Sequence, residues 1–330
     1  MFVQKQRHTV RGAELAVWQS GSGGRDLVFV HGFQNDHTAW GPLMERLDDK
    51  RYRYTCFDLL GCGASAGADA WARCTISEYG ADLTALCESL SIDRPVVLGH
   101  SLGAAIILSA ALANPGQFAG LALIAPASTT GLDFVPDEAS FAALAHPTRE
   151  QQRALARAAF RRTPPEDKFQ ELMAVIERAS PEHIEGAARS MRTFTCQPDL
   201  AALSVPSILI CGDRDRHVPL DRHLATQQAI PRCGLQVYFD IGHVPFAETP
   251  ESCAADVERF PRDHPLMSHD SSARTSTTPA RMNAPPVNCQ PEGTWPRAAQ
   301  AITAANRTSD MPMNDASFAP RCRTAAIPVV

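Results

Sequence analysis

A serine, a pair of aspartates and a histidine, in that chain order, are the side chains of this 330-residue sequence best suited to act together. Ser101 stands in Gly99-His100-Ser101-Leu102-Gly103, Asp213 and Asp215 in Cys211-Gly-Asp-Arg-Asp-Arg-His-Val-Pro219, and His243 in Asp240-Ile-Gly-His-Val-Pro-Phe246. A serine hydroxyl is a poor nucleophile until a base removes its proton and an acidic group orients that base. Given both, the chemistry is acyl transfer, with the tetrahedral intermediate held by two backbone N–H donors. Competing chemistries lack their residues. The sequence has no H-E-x-x-H and no His/Cys spacing suited to a metal, and no G-x-G-x-x-G opening a helix. Gly61-Cys-Gly-Ala-Ser-Ala-Gly67 has no following lysine or helix start, so no cofactor or metal is expected.

The elements around these residues fit that reading. Short β-branched runs alternate with helical stretches, the pattern of a mostly parallel sheet covered by helices on both faces. Strands are expected at 26–30, 52–57, 94–98, 120–125, 206–211 and 235–239. Helices are expected from the turn after Val30 to about Leu47, from 75 to 90, from 104 to 112, and around Val257, ending near Phe260. G-x-S-x-G between a strand and a helix implies a tight turn that strains the serine backbone and exposes its hydroxyl at a helix N-terminus. From about 128 to 195 only helical pattern remains, as in 149–161 and 166–178. Such an insertion within a βα series reads as a cap over the carboxyl edge of the sheet, where open α/β sheets place their sites.

With these motifs in register, residues 8–261 resemble an α/β-hydrolase-fold serine hydrolase. The resemblance implies a core over 1–127 and 196–261, with a helical cap over 128–195 inserted after the sixth strand. It implies Ser101 as nucleophile and His243 as base. It favours Asp215 as the acid, since the family's Gly-x-x-Asp-x-x-x-Pro turn falls on Gly212, Asp215 and Pro219; Asp213 is then a turn residue. The oxyanion donors implied are the backbone N–H of Leu102 and that of Phe33, in His31-Gly-Phe-Gln-Asn-Asp-His37. Trp40 is expected as a packing anchor and His100 as a buried structural neighbour. His217 is expected to be solvent-exposed or substrate-lining. Asp58, Gly61 and Gly63 of Phe57-Asp-Leu-Leu-Gly-Cys-Gly-Ala-Ser65 are expected to be structural.

The function implied is hydrolysis of a carboxylic ester, lactone or thioester of a small hydrophobic substrate by water. Phe57–Ser65, Gly-His-Ser-Leu-Gly-Ala and Arg192-Thr-Phe-Thr-Cys-Gln-Pro-Asp199 also resemble bacterial stress-response hydrolases related to strigolactone and karrikin receptors. That group implies slow turnover and a protein partner. Gly242-His-Val-Pro-Phe-Ala-Glu-Thr-Pro250 is instead similar to ordinary esterases and lactonases. An acyltransferase or perhydrolase would share every motif. Among cap residues, Phe134, Phe141, Leu144, Phe160, Phe169, Leu172, Met173 and Val175 are candidates for cap core or a hydrophobic entrance, and Arg161, Arg162 and Arg189 for contacts to an anion.

Composition narrows the setting. Hydrophobic residues are 44% and charged residues 20%, an ordinary globular mix. The net charge of −5 offers no general attraction to nucleic acid or anionic lipid. No apolar run reaches the roughly 18–20 residues of a membrane span. Ten cysteines without a C-x-x-C pair, many inside apolar stretches, are expected to be reduced and buried, which suggests the cytoplasm. From Arg262 to Val330 there are nine prolines and only seven Ile, Leu, Val or Phe, so 262–330 is expected to be a disordered extension.

Overall fold

The structure, a computed structural model, describes residues 4–65, 67, 69–132 and 138–263. Its elements in chain order are β1 Gln4–Val10, β2 Ala13–Ser20, β3 Arg25–Val30, α1 Gly41–Met44, β4 Tyr52–Phe57, α2 Ile76–Ser89, β5 Val96–His100, α3 Leu102–Ala113 and β6 Gly120–Ile124. There follow α4 Glu138–Ala145, α5 Arg149–Ala158, α6 Glu166–Ile176, α7 Pro181–Thr193, β7 Ser207–Gly212, α8 Leu220–Ala229, β8 Cys233–Tyr238, α9 Pro245–Glu248 and α10 Pro250–Asp263.

The eight strands form one sheet in the order β1-β2-β4-β3-β5-β6-β7-β8, and it is mostly parallel, as the sequence pattern implied. Every pair from β4 to β8 is parallel, and β2 joins antiparallel to both β1 and β4. The central strands are buried on both faces, so β5 and β6 read as unbroken apolar runs. On one face Leu27, Phe29, Leu98 and Ile210 pack with Trp40 and with Cys253, Val257 and Phe260 of α10. On the other, α3 lies along β3, β5 and β6 with α2 against it. Sandwiched between sheet and helix, α3 is apolar nearly all round.

Several expectations need correction. The hairpin β1–β2, turned through Arg11 and Gly12 with positive φ, has no counterpart among the expected strands. The helix expected to reach Leu47 is a 3₁₀ turn at His37–Trp40 followed by one α-turn ending at Met44. The strand after Arg94-Pro95 starts later, at Val96, and extends to His100. Helix α10 continues to Asp263. The rest of the 262–330 extension lies outside the described residues.

Four helices, α4 to α7, occupy the stretch between β6 and β7. Its ends meet in a bridge between Thr130 and Thr195, and Cys196 N–H donates to Thr129 C=O at 3.0 Å. Phe141, Phe169 and Met173 are buried among these helices, whereas Phe134 lies outside the described residues. All eight described cysteines are free, and seven are buried; Cys289 and Cys322 lie outside. Among the described residues no helix is long and apolar enough to cross a membrane.

Close approach of α3 to the sheet depends on two glycines. A Cβ on Gly103 would stand 2.1 Å from the Val30 carbonyl oxygen, and one on Gly99 2.5 Å from that of Gly103. Gly103→Ala should therefore destabilise the protein by at least ~1–3 kcal/mol, at roughly 2–4 °C of Tm per kcal/mol. Calorimetry showing an unchanged Tm would contradict this packing.

Candidate active site

Ser101 sits where β5 ends and α3 begins, with φ 51° and ψ −113°. That conformation costs an ordinary L-residue of order 1–3 kcal/mol and persists only where surroundings impose it. Here Ser101 N–H donates to Ile124 C=O at 3.0 Å, and its own C=O accepts from Ala127 and Ala104 N–H at 3.0 Å each. Leu102 is the first residue of α3, placing its amide in the positive first turn of the helix.

Asp215 and His243 arrive on the loops after β7 and β8. Gly212 permits these loops to touch, since a Cβ there would stand 2.2 Å from the Ile241 carbonyl oxygen. Asp215 Oδ2 lies 2.6 Å from His243 Nδ1. The carboxylate side chain is fully buried, a position tolerable only with donors around it. Its Oδ1 accepts the N–H groups of His217 (2.8 Å) and Val218 (3.0 Å), and Oδ2 also receives His223 Nε2 at 3.2 Å. Burial alone would raise its pKa, but the His243 charge and the hydrogen bonds of His223 and His243 outweigh it and hold the carboxyl well below the usual range. Asp213 does something else: its Oδ1 accepts Asp240 N–H at 2.6 Å, tying the two loops together.

His243 is 5% exposed, and its backbone N–H donates to Ala159 C=O at 2.7 Å, which fixes the loop against the end of α5. His100 lies beneath it, its Nε2 3.0 Å from His243 C=O, with burial pushing its pKa well below the ordinary value. His217 packs its ring 4.8 Å from that of His243 and lines the cavity above. Burial lowers its pKa to about 4. Trp40 is fully buried between Phe29 and Phe246. Asp58 is fully buried, accepting His37 N–H at 2.8 Å and Ala64 N–H at 2.6 Å, while Gly61 and Gly63 have positive φ.

Ser101, His243 and Phe33 open into a cavity of about 190 Å³ between the sheet edge and the inserted helices. Leu144, Leu155, Phe160 and Leu172 supply the helical side, and among the described residues no Asp, Glu, Lys or Arg lines it. Val175, like Phe141, Phe169 and Met173, is not in the lining. The arginines expected as anion contacts are held elsewhere. Arg161 and Arg162 each pair with Asp240 at 2.7 Å, and Arg189 pairs with Glu185 at 2.8 Å.

Two site residues had no motif to reveal them. His223, from α8, is fully buried and gives Asp215 its extra donor; only its spacing of eight residues from the aspartate hinted at proximity. Gln34 is 2% exposed, lines the cavity and has a side-chain nitrogen without a hydrogen-bond partner. Among the described residues one donor group, Asp36, His37 and Asp58, is compact enough to suit a metal ion. Its oxygens are already engaged: Asp36 by Thr38 and Arg178, Asp58 by His37 and Ala64.

A family model described as the alpha/beta hydrolase family matches residues 27–256. The 2-hydroxy-6-oxononadienedioate/2-hydroxy-6-oxononatrienedioate hydrolase 2 of Pseudomonas putida is 27% identical over 240 residues, 68% of this chain and 82% of that protein. A strigolactone esterase of Pisum sativum is 33% identical over 107 residues, 32% of this chain and 39% of its own length. A thermophilic esterase from Thermogutta terrifontis superposes with a TM-score of 0.64 at 26% identity, over 79% of this chain and 99% of that one. The matched span runs from the first parallel strand to the final helix, and on that ground the chain belongs to the alpha/beta hydrolase family.

Proposed function

We propose that the chain is a serine esterase for small, uncharged, apolar carboxylic esters, with lactones and thioesters as chemically equivalent substrates. The observation that carries the reading is the Asp215–His243 contact of 2.6 Å opening, with Ser101, into a cavity lined by no charged side chain. His243 Nε2 takes the proton of Ser101 as Oγ attacks the acyl carbon. The carbonyl oxygen becomes an oxyanion between the N–H groups of Phe33 and Leu102. Collapse expels the alcohol, which receives the proton from His243 and leaves an acyl-serine; water repeats the sequence and frees the acid. Asp215, ionised and fixed by four donors, stabilises the imidazolium formed at each step.

The lining argues for substrate class. The Pseudomonas relative is named for dioates, which carry two carboxylates. Burying such a dianion here would leave it without a cation, at a cost of several kcal/mol per charge. The volume argues for size: about 190 Å³ is little more than the ~150 Å³ cavity that holds a benzene ring. Gln34 provides a side-chain donor for one further substrate oxygen.

Three outcomes are expected. Across p-nitrophenyl esters from acetate to decanoate, kcat/KM should peak at the short acyl chains. Ser101→Ala should reduce kcat at least about 10⁴-fold; activity within tenfold of wild type removes the nucleophile. A stoichiometric burst with almost no turnover would instead support the slow hydrolase type named for strigolactone. Asp215→Asn should lower kcat by about 10⁴-fold, and Asp213→Asn by less than tenfold; the reverse ranking reassigns the acid.

A further outcome concerns pH. The folded-state pKa of Asp215 lies below its unfolded value of about 3.9. Its ionised form thus stabilises the fold above that pH, and the contribution fades as pH falls towards the folded value. The gap in urea midpoint between wild type and Asp215→Asn should narrow as pH falls below about 4. A gap that widens below that pH would reverse the sign.

A further inference from the structure

We infer that His183, on the inserted helix α7, is a positioning residue that fixes the amide of Phe33 for the oxyanion; the inference rests on the esterase reading above. Gln34 N–H donates to His183 Nε2 at 3.3 Å. A backbone amide can only donate, so Nε2 is the unprotonated nitrogen and the imidazole proton resides on Nδ1. Nδ1–H then donates to Tyr79 Oη at 2.6 Å, and the Tyr79 hydroxyl donates to Leu60 C=O at 2.8 Å. Each proton has one place to go, which fixes the tautomer. Burial, with a smaller contribution from His31, lowers the His183 pKa to about 3 and keeps the ring neutral.

A second histidine acts from the other side. His31 accepts Leu59 N–H at Nε2 (3.0 Å), and its Nδ1 lies 2.9 Å from the Gly32 carbonyl oxygen. In a trans peptide the C=O of Gly32 and the N–H of Phe33 point in opposite directions. Holding the carbonyl therefore aims the Phe33 amide, and the next amide, of Gln34, is committed to His183. Gln34 has φ 53°, a strained conformation that needs such a restraint. His183 also stacks on the Phe33 ring, with centroids 5.7 Å apart. Beside it, Ser180 N–H donates to Gly61 C=O at 2.8 Å and Arg178 pairs with Asp36 at 3.1 Å. The start of α7 is thus built into the loops that carry the site, not laid over them.

The test uses the full chain with His183→Phe, which keeps a ring against Phe33 but removes the acceptor, and His183→Gln, which restores an acceptor. Without substrate, hydrogen exchange at Gln34 should be at least tenfold faster in His183→Phe. With p-nitrophenyl acetate, kcat should fall about tenfold to a hundredfold with KM within twofold, less than the roughly 10²–10³ lost when an oxyanion donor is deleted. A phenylboronic acid, whose boronate oxygen occupies the oxyanion position, should bind more weakly by a similar factor. His183→Gln should recover part of each loss. Folded His183→Phe with wild-type exchange and kcat overturns the inference. Should His183→Phe fail to fold, Tyr79→Phe, which frees the tautomer, should give the same changes at a few-fold; no change there overturns it equally. If exchange rises as expected while Ser101→Ala hydrolyses normally, the brace stands and the esterase reading falls.

Discussion

The backbone of Ser101 is the constraint on which the rest depends. A residue at φ 51° and ψ −113° between a buried strand and a buried helix can be held only if both elements are immobile and very close. That requirement accounts for Gly99 and Gly103, for the nearly all-apolar α3, and for the ties to Ile124 and Ala127 across β6. It also puts Ser101 at the parallel sheet's carboxyl edge. The loops after β3, β7 and β8 end there too, so Phe33, Asp215 and His243 converge without any long-range reach.

Around that edge, polar groups and apolar space are segregated. Four histidines, His31, His100, His183 and His223, are buried beneath or beside the cavity, each with at least one nitrogen committed to a backbone or carboxylate partner. They make a rigid polar floor that carries no net charge when neutral. The helical side of the cavity contributes mainly aliphatic and aromatic surface, with Gln152 its one polar side chain among the described residues. The Ser101 hydroxyl therefore stands where the surrounding dielectric is low.

What the sequence disclosed follows the same division. Core strands such as β3, β5 and β6 were legible because burial on both faces demands continuous Val, Leu and Ile. Ser101, Asp215 and His243 were legible because sharp turns at strand ends demand glycine and proline at fixed offsets. The hairpin β1–β2 was not: Gln4–Val10 is polar at every position but the last and sits at the sheet edge, so it shows no apolar alternation. His183 and Gln34 were not, because they meet only across 149 positions of chain, and His223 was not, because a lone histidine on a helix carries no local signature even eight residues from its partner. The arginines of the insertion misled for a related reason. Charge is visible in a sequence, but that Arg161 and Arg162 are consumed by Asp240 is not.

The bridge between Thr130 and Thr195 has a consequence for how such a protein can change. The two ends of the helical insertion lie side by side, one strand spacing apart, and the chain leaves and re-enters the sheet region at the same point. Lengthening or shortening what hangs from that point alters loop-closure entropy only logarithmically and leaves the β6–β7 register untouched. The segment that shapes the cavity is thus a cassette: most of it could be exchanged for another without moving the strand ends. Two stretches resist exchange: Ala159–Arg162, bonded to the loop after β8, and Arg178–His183, bonded to the loops after β3 and β4. Selectivity is free to drift in the segments between those anchors.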